Sequence, residues 1–142
     1  MPEKVRFLTV EHVRRAHEDG MRKLGEEPQP LGSTERLEGA LSRIPFSAHY
    51  RAATVIELAA LTAVAISQAQ AFLDGNKRTA EGAMVGFLRL NGYQFQGNGM
   101  QVALFLEINA FLSEVPNPGD EPREKGLQAF TLWLESVVVA RA

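Results

Sequence analysis

The stretch from Gln70 to Ala80 reads Gln-Ala-Phe-Leu-Asp-Gly-Asn-Lys-Arg-Thr-Ala, and it separates an apolar segment from an amphipathic one. It places a carboxylate, a glycine, an amide and two adjacent cations where a helix is predicted to begin. The first backbone N–H groups of a helix are unpaired, and the helix dipole adds partial positive charge there. The stretch therefore predicts an anion-binding loop of the kind that holds a nucleotide phosphate.

The side chains of this loop suggest separate roles. Gly75 lets the backbone approach a ligand closely and adopt positive φ. Lys77 and Arg78 supply a point charge and a forked donor for phosphate oxygens. Asp74 opposes anion binding on its own, but Mg²⁺ bridging it to phosphates would make it useful. Asn76 either holds the loop through its amide or donates to a phosphate oxygen. The plainer alternative is an ordinary, solvated helix start.

Hydrophobic periodicity and chain breakers predict one all-α domain over residues 1–142. The predicted helices cover about residues 10–23, 34–44, 50–69, 77–90, 100–113 and 123–140. Pro45 is predicted to end the second helix, and the third is apolar on all faces, which is typical of a central helix. The alternating run Tyr93–Gln96 predicts a short strand, and Pro116–Asp120 predicts a break. We expect about six helices with at most a small hairpin.

Composition narrows the class of protein. The chain has 142 residues, of which 45% are hydrophobic and 23% charged, with a formal net charge of −2. This predicts a globular domain and argues against direct binding to nucleic acid. The lack of cysteine excludes a disulfide framework and fits a reducing cytoplasm. The N-terminus has no signal-peptide pattern. Val55–Ile66 is short for a membrane span and contains Glu57, so we expect a cytoplasmic protein without membrane contact.

Phe72 and the run Asp74–Ala80 resemble the core of the Fic/Doc family, whose signature is H-x-F-x-[DN]-[AG]-N-[GK]-R. Lysine at position 77, directly before Arg78, resembles the Doc-like (death-on-curing) toxins rather than the AMP-transferring Fic form with glycine there. The run Phe87–Tyr93 and the first two predicted helices are also similar to Doc proteins. The resemblance covers most of the chain and implies a Fic/Doc-type helical domain.

The resemblance also implies a function for the loop, which in this family binds ATP with Mg²⁺. Asp74 matches the metal-linked position, and Asn76, Lys77 and Arg78 match phosphate-binding positions beside Gly75. Phe72 is expected to anchor the loop in the core, and Thr79 to be either a phosphate donor or a surface residue. Doc phosphorylates a threonine of elongation factor Tu, and an antitoxin restrains it by placing a helix on the fold. A target-protein hydroxyl and an antitoxin-like helix are therefore the expected partners.

Gln70 departs from the signature, because the family has its catalytic histidine at this position. A glutamine amide is not basic near neutral pH, and a lost general base costs about 10²–10⁴-fold in rate. Three interpretations follow: a weakened or inactive site, a site retuned to other chemistry, or an engineered inactivation. Transfer of AMP and a binding module without catalysis remain alternatives, as does nucleotide hydrolysis with Gln70 orienting water. His17 is a candidate substitute base.

Overall fold

The structure is a computed structural model that describes residues 4–115 and 121–141. Its helices are α1 (Val10–Lys23), α2 (Thr34–Tyr50), α3 (Val55–Ala69), α4 (Asn76–Leu90), α5 (Gly99–Glu114) and α6 (Glu121–Val137). Two short strands, β1 (Tyr93–Phe95) and β2 (Val138–Ala140), pair antiparallel with Tyr93 opposite Ala140. The predicted all-α class is confirmed. The break predicted at Pro116–Asp120 lies outside the described residues.

Helix α3 lies at the centre of the fold. The ten consecutive residues from Leu58 to Ser67 are buried, so the helix is covered on every face. It packs against α2, α4, α5 and α6. A capping box at Thr54 and Glu57 fixes its start, since each side chain bonds the other's backbone N–H. The end of this rigid helix leads directly into the loop at residues 70–75. Within the described residues, no helix is long and apolar enough to cross a membrane.

Local capping explains why α1 matches its predicted bounds. The Thr9 hydroxyl accepts the His12 N–H, and His12 Nδ1 accepts the Thr9 N–H. The inner face of α1 buries Val13, His17 and Met21, which are spaced by one helical turn. This face brings His17 and Met21 against the loop that precedes α4.

Three predicted helix boundaries are wrong. Helix α2 does not end at Pro45 but continues to Tyr50, because exposed Pro45 gives up a single backbone bond while Ile44 stays packed in the core. Helix α3 begins at Val55 rather than at Tyr50, since Ala52 adopts a left-handed conformation with φ of 50°. Helix α6 ends at Val137, and the β-branched residues that follow pair with β1 instead.

Candidate functional site

The loop between α3 and α4 is bounded by two left-handed residues. Gln70 caps α3 with φ of 51°, and Gly75 precedes α4 with φ of 78°. Between them, the Ala71 carbonyl accepts N–H groups from Gly32 and Ser33 at 2.9 and 3.0 Å. The loop is therefore tied to the start of α2 as well as to α3 and α4, and its backbone path is determined from three sides.

Asn76 closes the loop through its side-chain amide. Its Oδ1 accepts the Phe72 N–H at 3.1 Å, and its Nδ2 donates to the Phe72 carbonyl at 2.9 Å. Nδ2 also lies 3.4 Å from Gln70 Oε1. Asn76 is buried, so these bonds form with little competition from water. This geometry matches the interpretation of Asn76 as a residue that holds the loop, because its donors are used internally.

His17 supports the loop from below. It is 1% exposed, and its ring stacks on Phe72 with centroids 4.0 Å apart. Its Nε2 lies 3.0 Å from the Asp74 carbonyl oxygen, which can only accept, so Nε2 must carry the proton. The hypothesis that His17 is a substitute base is therefore wrong, since the nitrogen facing the loop is already a donor and the ring is closed off from solvent.

Gly75 is required both for its backbone angle and for its lack of a side chain. A Cβ at this position would lie 2.9 Å from Met21 Sδ and 3.7 Å from the His17 ring. Positive φ also disfavours any L residue with a Cβ. Glycine therefore lets the loop lie directly on α1 and turn into α4 within one residue.

The two cations of the motif point in different directions. Lys77 Nζ bonds Glu107 Oε1 of α5 at 2.6 Å, and both side chains are exposed. The aliphatic stem of Arg78 lies across Gly20 of α1, where a Cβ would be 3.1 Å from its Cγ and Cδ. No ion pair to Arg78 occurs within residues 4–115 and 121–141. Arg78 is thus available to an anion, whereas Lys77 must first leave Glu107.

Asp74 leaves one carboxylate oxygen for a cation. Its Oδ1 accepts the Gly75 N–H at 2.7 Å, and its side chain is exposed. The described residues contain no cluster of three or more His, Asp or Glu side chains that could hold a metal. A cation at Asp74 would need further oxygens from a bound phosphate and water, and this is how Mg²⁺ is commonly held at phosphate sites.

A cleft of about 840 Å³ opens above the loop. Its polar lining comprises Gln70, Asp74, Asn76, Lys77, Arg78, Glu81 and Asn98, and the apolar residues Leu24, Leu73 and Met100 are among those on its rim. The volume falls within the ordinary range for small-molecule sites. Two carboxylates in the lining balance two cations, so the cleft alone attracts an anion only weakly. A metal ion that neutralises a carboxylate would change this balance.

Two predicted site residues are placed differently from expectation. The Gln70 side chain folds back on its own helix, where Nε2 donates to the Ser67 carbonyl at 2.8 Å. With Oε1 3.4 Å from Asn76 Nδ2, both ends of the amide bond protein atoms, and this counts against a role in orienting water. Thr79 is 1% exposed and its N–H donates to the Gly75 carbonyl. It is not a surface residue, and its burial counts against a phosphate contact.

Sequence reasoning missed Glu81, Glu107 and Gly99. Glu81 lies one helical turn after Lys77 on α4, and this spacing could have indicated that it faces the same cleft. Glu107 and Gly99 belong to α5, more than twenty residues along the chain, and no sequence signal joins them to the motif. Packing of α5 against α4 brings Gly99 into the lining of the cleft and Glu107 within bonding distance of Lys77.

The bond from Lys77 holds the pKa of Glu107 below its ordinary value of 4.5, through the hydrogen bond first and charge attraction second. A depressed pKa means that the pair stabilises the fold above the unfolded pKa and that this contribution is lost as the pH falls through the folded pKa. We expect carboxyl NMR titration to place the Glu107 midpoint below 4.5, and Lys77→Met to return it to that value. Glu121, whose pKa is lowered by Lys125, is the internal control. A Glu107 midpoint unchanged by Lys77→Met would contradict the pairing.

Comparison with known proteins bears directly on this loop. A search of curated proteins finds no match to the chain. Residues 7–88 match the sequence profile of the Fic/DOC family, and they run from before α1 to near the end of α4. This range is more than half of the chain and contains the whole loop with its flanking helices. The chain therefore belongs to the Fic/DOC family.

Proposed function

We propose that this chain is a Doc-like toxin-family protein that transfers the γ-phosphoryl group of ATP to a hydroxyl of a target protein. The hydroxyl oxygen bonds to the γ-phosphorus, the bond to the bridging oxygen breaks, and ADP leaves. The observation that carries this proposal is the loop itself, in which a left-handed glycine, a helix start and an arginine with no ion pair among the described residues meet at one cleft. Family membership supports transferase chemistry in general.

The residues of the cleft would share the work of binding ATP. The first N–H groups of α4 and the Arg78 guanidinium would hold phosphate oxygens. Lys77 would exchange Glu107 for a phosphate, and this exchange costs little because exposed ion pairs are weak. Asp74 would hold Mg²⁺ through its remaining oxygen, and the ion would supply charge neutralisation at the phosphates.

We expect transfer to be weak because Gln70 supplies no base. Lysine rather than glycine before Arg78 is the Doc-like form of the motif and supports phosphoryl transfer over AMP transfer. The resemblance to Doc makes elongation factor Tu in the cytoplasm the first target to test. AMP transfer is the alternative reaction of the same cleft, and labelling distinguishes the two. Label on the γ-phosphate reports phosphoryl transfer, whereas label on the α-phosphate reports AMP transfer.

Nucleotide binding is the direct test of this proposal. Calorimetry with ATP and Mg²⁺ should detect binding to the wild-type chain, with weaker binding when Mg²⁺ is omitted. Lys77→Ala/Arg78→Ala should weaken binding by about 10²-fold or more, because two charge-assisted contacts of about 1.5–3 kcal/mol each are removed. Arg14→Ala/Arg22→Ala removes two exposed cations of α1, neither of which lines the cleft, and is the matched control. Absence of binding to the wild-type chain would rule out a nucleotide site.

A binding module without catalysis is the second candidate, and one surface favours it. Helix α5 exposes a face of large apolar side chains at helical spacing, namely Met100, Leu104, Ile108 and Phe111. Such a face suits an amphipathic antitoxin-like helix. Expression in a bacterial host separates the candidates. Growth arrest that is lost in Arg78→Ala supports a working toxin, and arrest that survives this change supports action through binding alone.

A further inference from the structure

Transfer to a hydroxyl releases a proton, and Gln70 is unable to accept it. The described residues that line the cleft include two carboxylates, Asp74 and Glu81. One oxygen of Asp74 accepts the Gly75 N–H, and the proposed function uses the other for Mg²⁺. Glu81 is the carboxylate that has no role in this scheme.

Glu81 has a defined position in the wall of the cleft. It is half-buried on α4, and its carboxylate lies against Gly99, the first residue of α5. A Cβ at Gly99 would come within 2.6 and 2.7 Å of its two oxygens, so any larger residue there would displace the carboxylate.

The Glu81 carboxylate has no bonding partner among the residues that the structure describes. Lys77 is four residues earlier and would be its usual partner on a helix. Lys77 bonds Glu107 instead, at 2.6 Å. The charged residues that line the cleft with Glu81 are Asp74, Lys77 and Arg78. Glu81 and Arg78 also line a second, smaller pocket, whose other charged or titratable residues are His12, Arg15, Asp19, Lys23 and Arg89. Its oxygens are thus free to accept a proton.

We propose that Glu81 is the general base of this cleft, an assignment that rests on the phosphoryl transfer proposed above. As the hydroxyl oxygen bonds to the γ-phosphorus, its proton passes to a Glu81 oxygen, and ADP leaves with the electron pair of the broken bond. Protein kinases use a carboxylate in the same role. A carboxylate is a weaker base than an imidazole near neutral pH, so slow transfer is the natural result.

Glu81→Gln tests the assignment because it keeps the shape of the side chain and removes its basicity. It should lower transfer of γ-phosphate label to protein by about 10²-fold. The dissociation constant for ATP with Mg²⁺ should not rise in calorimetry, because the change removes a negative charge from the cleft that receives an anion. Glu38→Gln makes the same chemical change at an exposed position of α2 and should leave both measurements unchanged.

Two further measurements separate a base from a structural residue. The rate of phosphoryl transfer by the wild type should fall as the pH is lowered into the range where carboxylates protonate. This acidic limb of the pH–rate profile should disappear in Glu81→Gln. Adding Gln70→His to Glu81→Gln should restore transfer, with the limb moved to the range where histidine titrates. Gln70→His should increase the transfer rate by a larger factor in the Glu81→Gln background than in the wild type. The Glu81→Gln variant has no general base, whereas the wild type still has Glu81.

The outcomes distinguish this inference from the proposed function. A Glu81→Gln variant as active as the wild type overturns the assignment. So does loss of affinity for ATP with Mg²⁺, because Glu81 would then be a metal or nucleotide ligand. A wild-type chain that transfers nothing while Gln70→His is active also overturns it, but leaves the proposed function standing. If neither the wild type nor Gln70→His transfers phosphate, both proposals fall.

Discussion

Gln70→His is expected to raise the transfer of γ-phosphate label to protein by about 10²-fold, near the lower end of what a general base contributes. The lower end is expected because Glu81, although a weaker base than histidine, already accepts the hydroxyl proton in the proposed mechanism. The change should be tolerated by the fold, since position 70 is exposed and left-handed. Histidine is among the side chains enriched in this backbone region.

Gln70→Asn is the matched control for this experiment. Asparagine also tolerates a left-handed backbone, keeps an amide and supplies no basicity. Both variants should bind ATP with Mg²⁺ as the wild type does. If Gln70→His labels protein no faster than Gln70→Asn, the missing base is not what limits this site.

Phe72→Ala is expected to lower the free energy of unfolding by about 3–5 kcal/mol, the usual cost of emptying a buried aromatic position. Phe72 is 4% exposed, stacks on His17 and carries both backbone groups that Asn76 binds. Removing the ring leaves a cavity beneath the loop. Chemical denaturation followed by circular dichroism measures the change.

The neighbouring residue is the control for this prediction. Leu73 is 77% exposed, so Leu73→Ala should change the unfolding free energy by only about 0.5 kcal/mol. A similar loss from Phe72→Ala and Leu73→Ala would contradict the view that Phe72 anchors the loop. The affinity for ATP should also be lower in Phe72→Ala, measured at a temperature where the variant is still folded, if the loop depends on this ring for its shape.

Capping residues and hydrophobic periodicity predicted helix ends correctly where no tertiary contact overrode them. Thr9 caps α1 and an apolar stripe follows it, so both ends of that helix were predicted within a residue. Pro45 misled the prediction because packing of Ile44 outweighs one lost backbone bond. The end of α6 was also missed, since Val138 and Val139 become strand residues only when β1 lies beside them.

The loop could be predicted because its motif residues are contiguous. Asp74 to Arg78 lie together in any fold that begins a helix there. Their partners could not be predicted, since each comes from another helix: Glu107 from α5 for Lys77, and Gly20 from α1 for Arg78. The structural role of His17 could not be predicted for the same reason. His17 and Asp74 are 57 residues apart in the sequence, and only helix packing brings them into contact.

The left-handed backbone at Gln70 has a consequence for the mutational history of this protein. The loop is held chiefly by Asn76, Phe72 and the Ala71 carbonyl, and a change of the side chain at position 70 removes only the bond to Ser67 and the longer contact with Asn76. Glutamine and histidine codons differ only at their third base. A single nucleotide change could therefore place an imidazole over an intact loop. If the proposed function holds, selection for phosphoryl transfer should recover Gln70→His by this single nucleotide change.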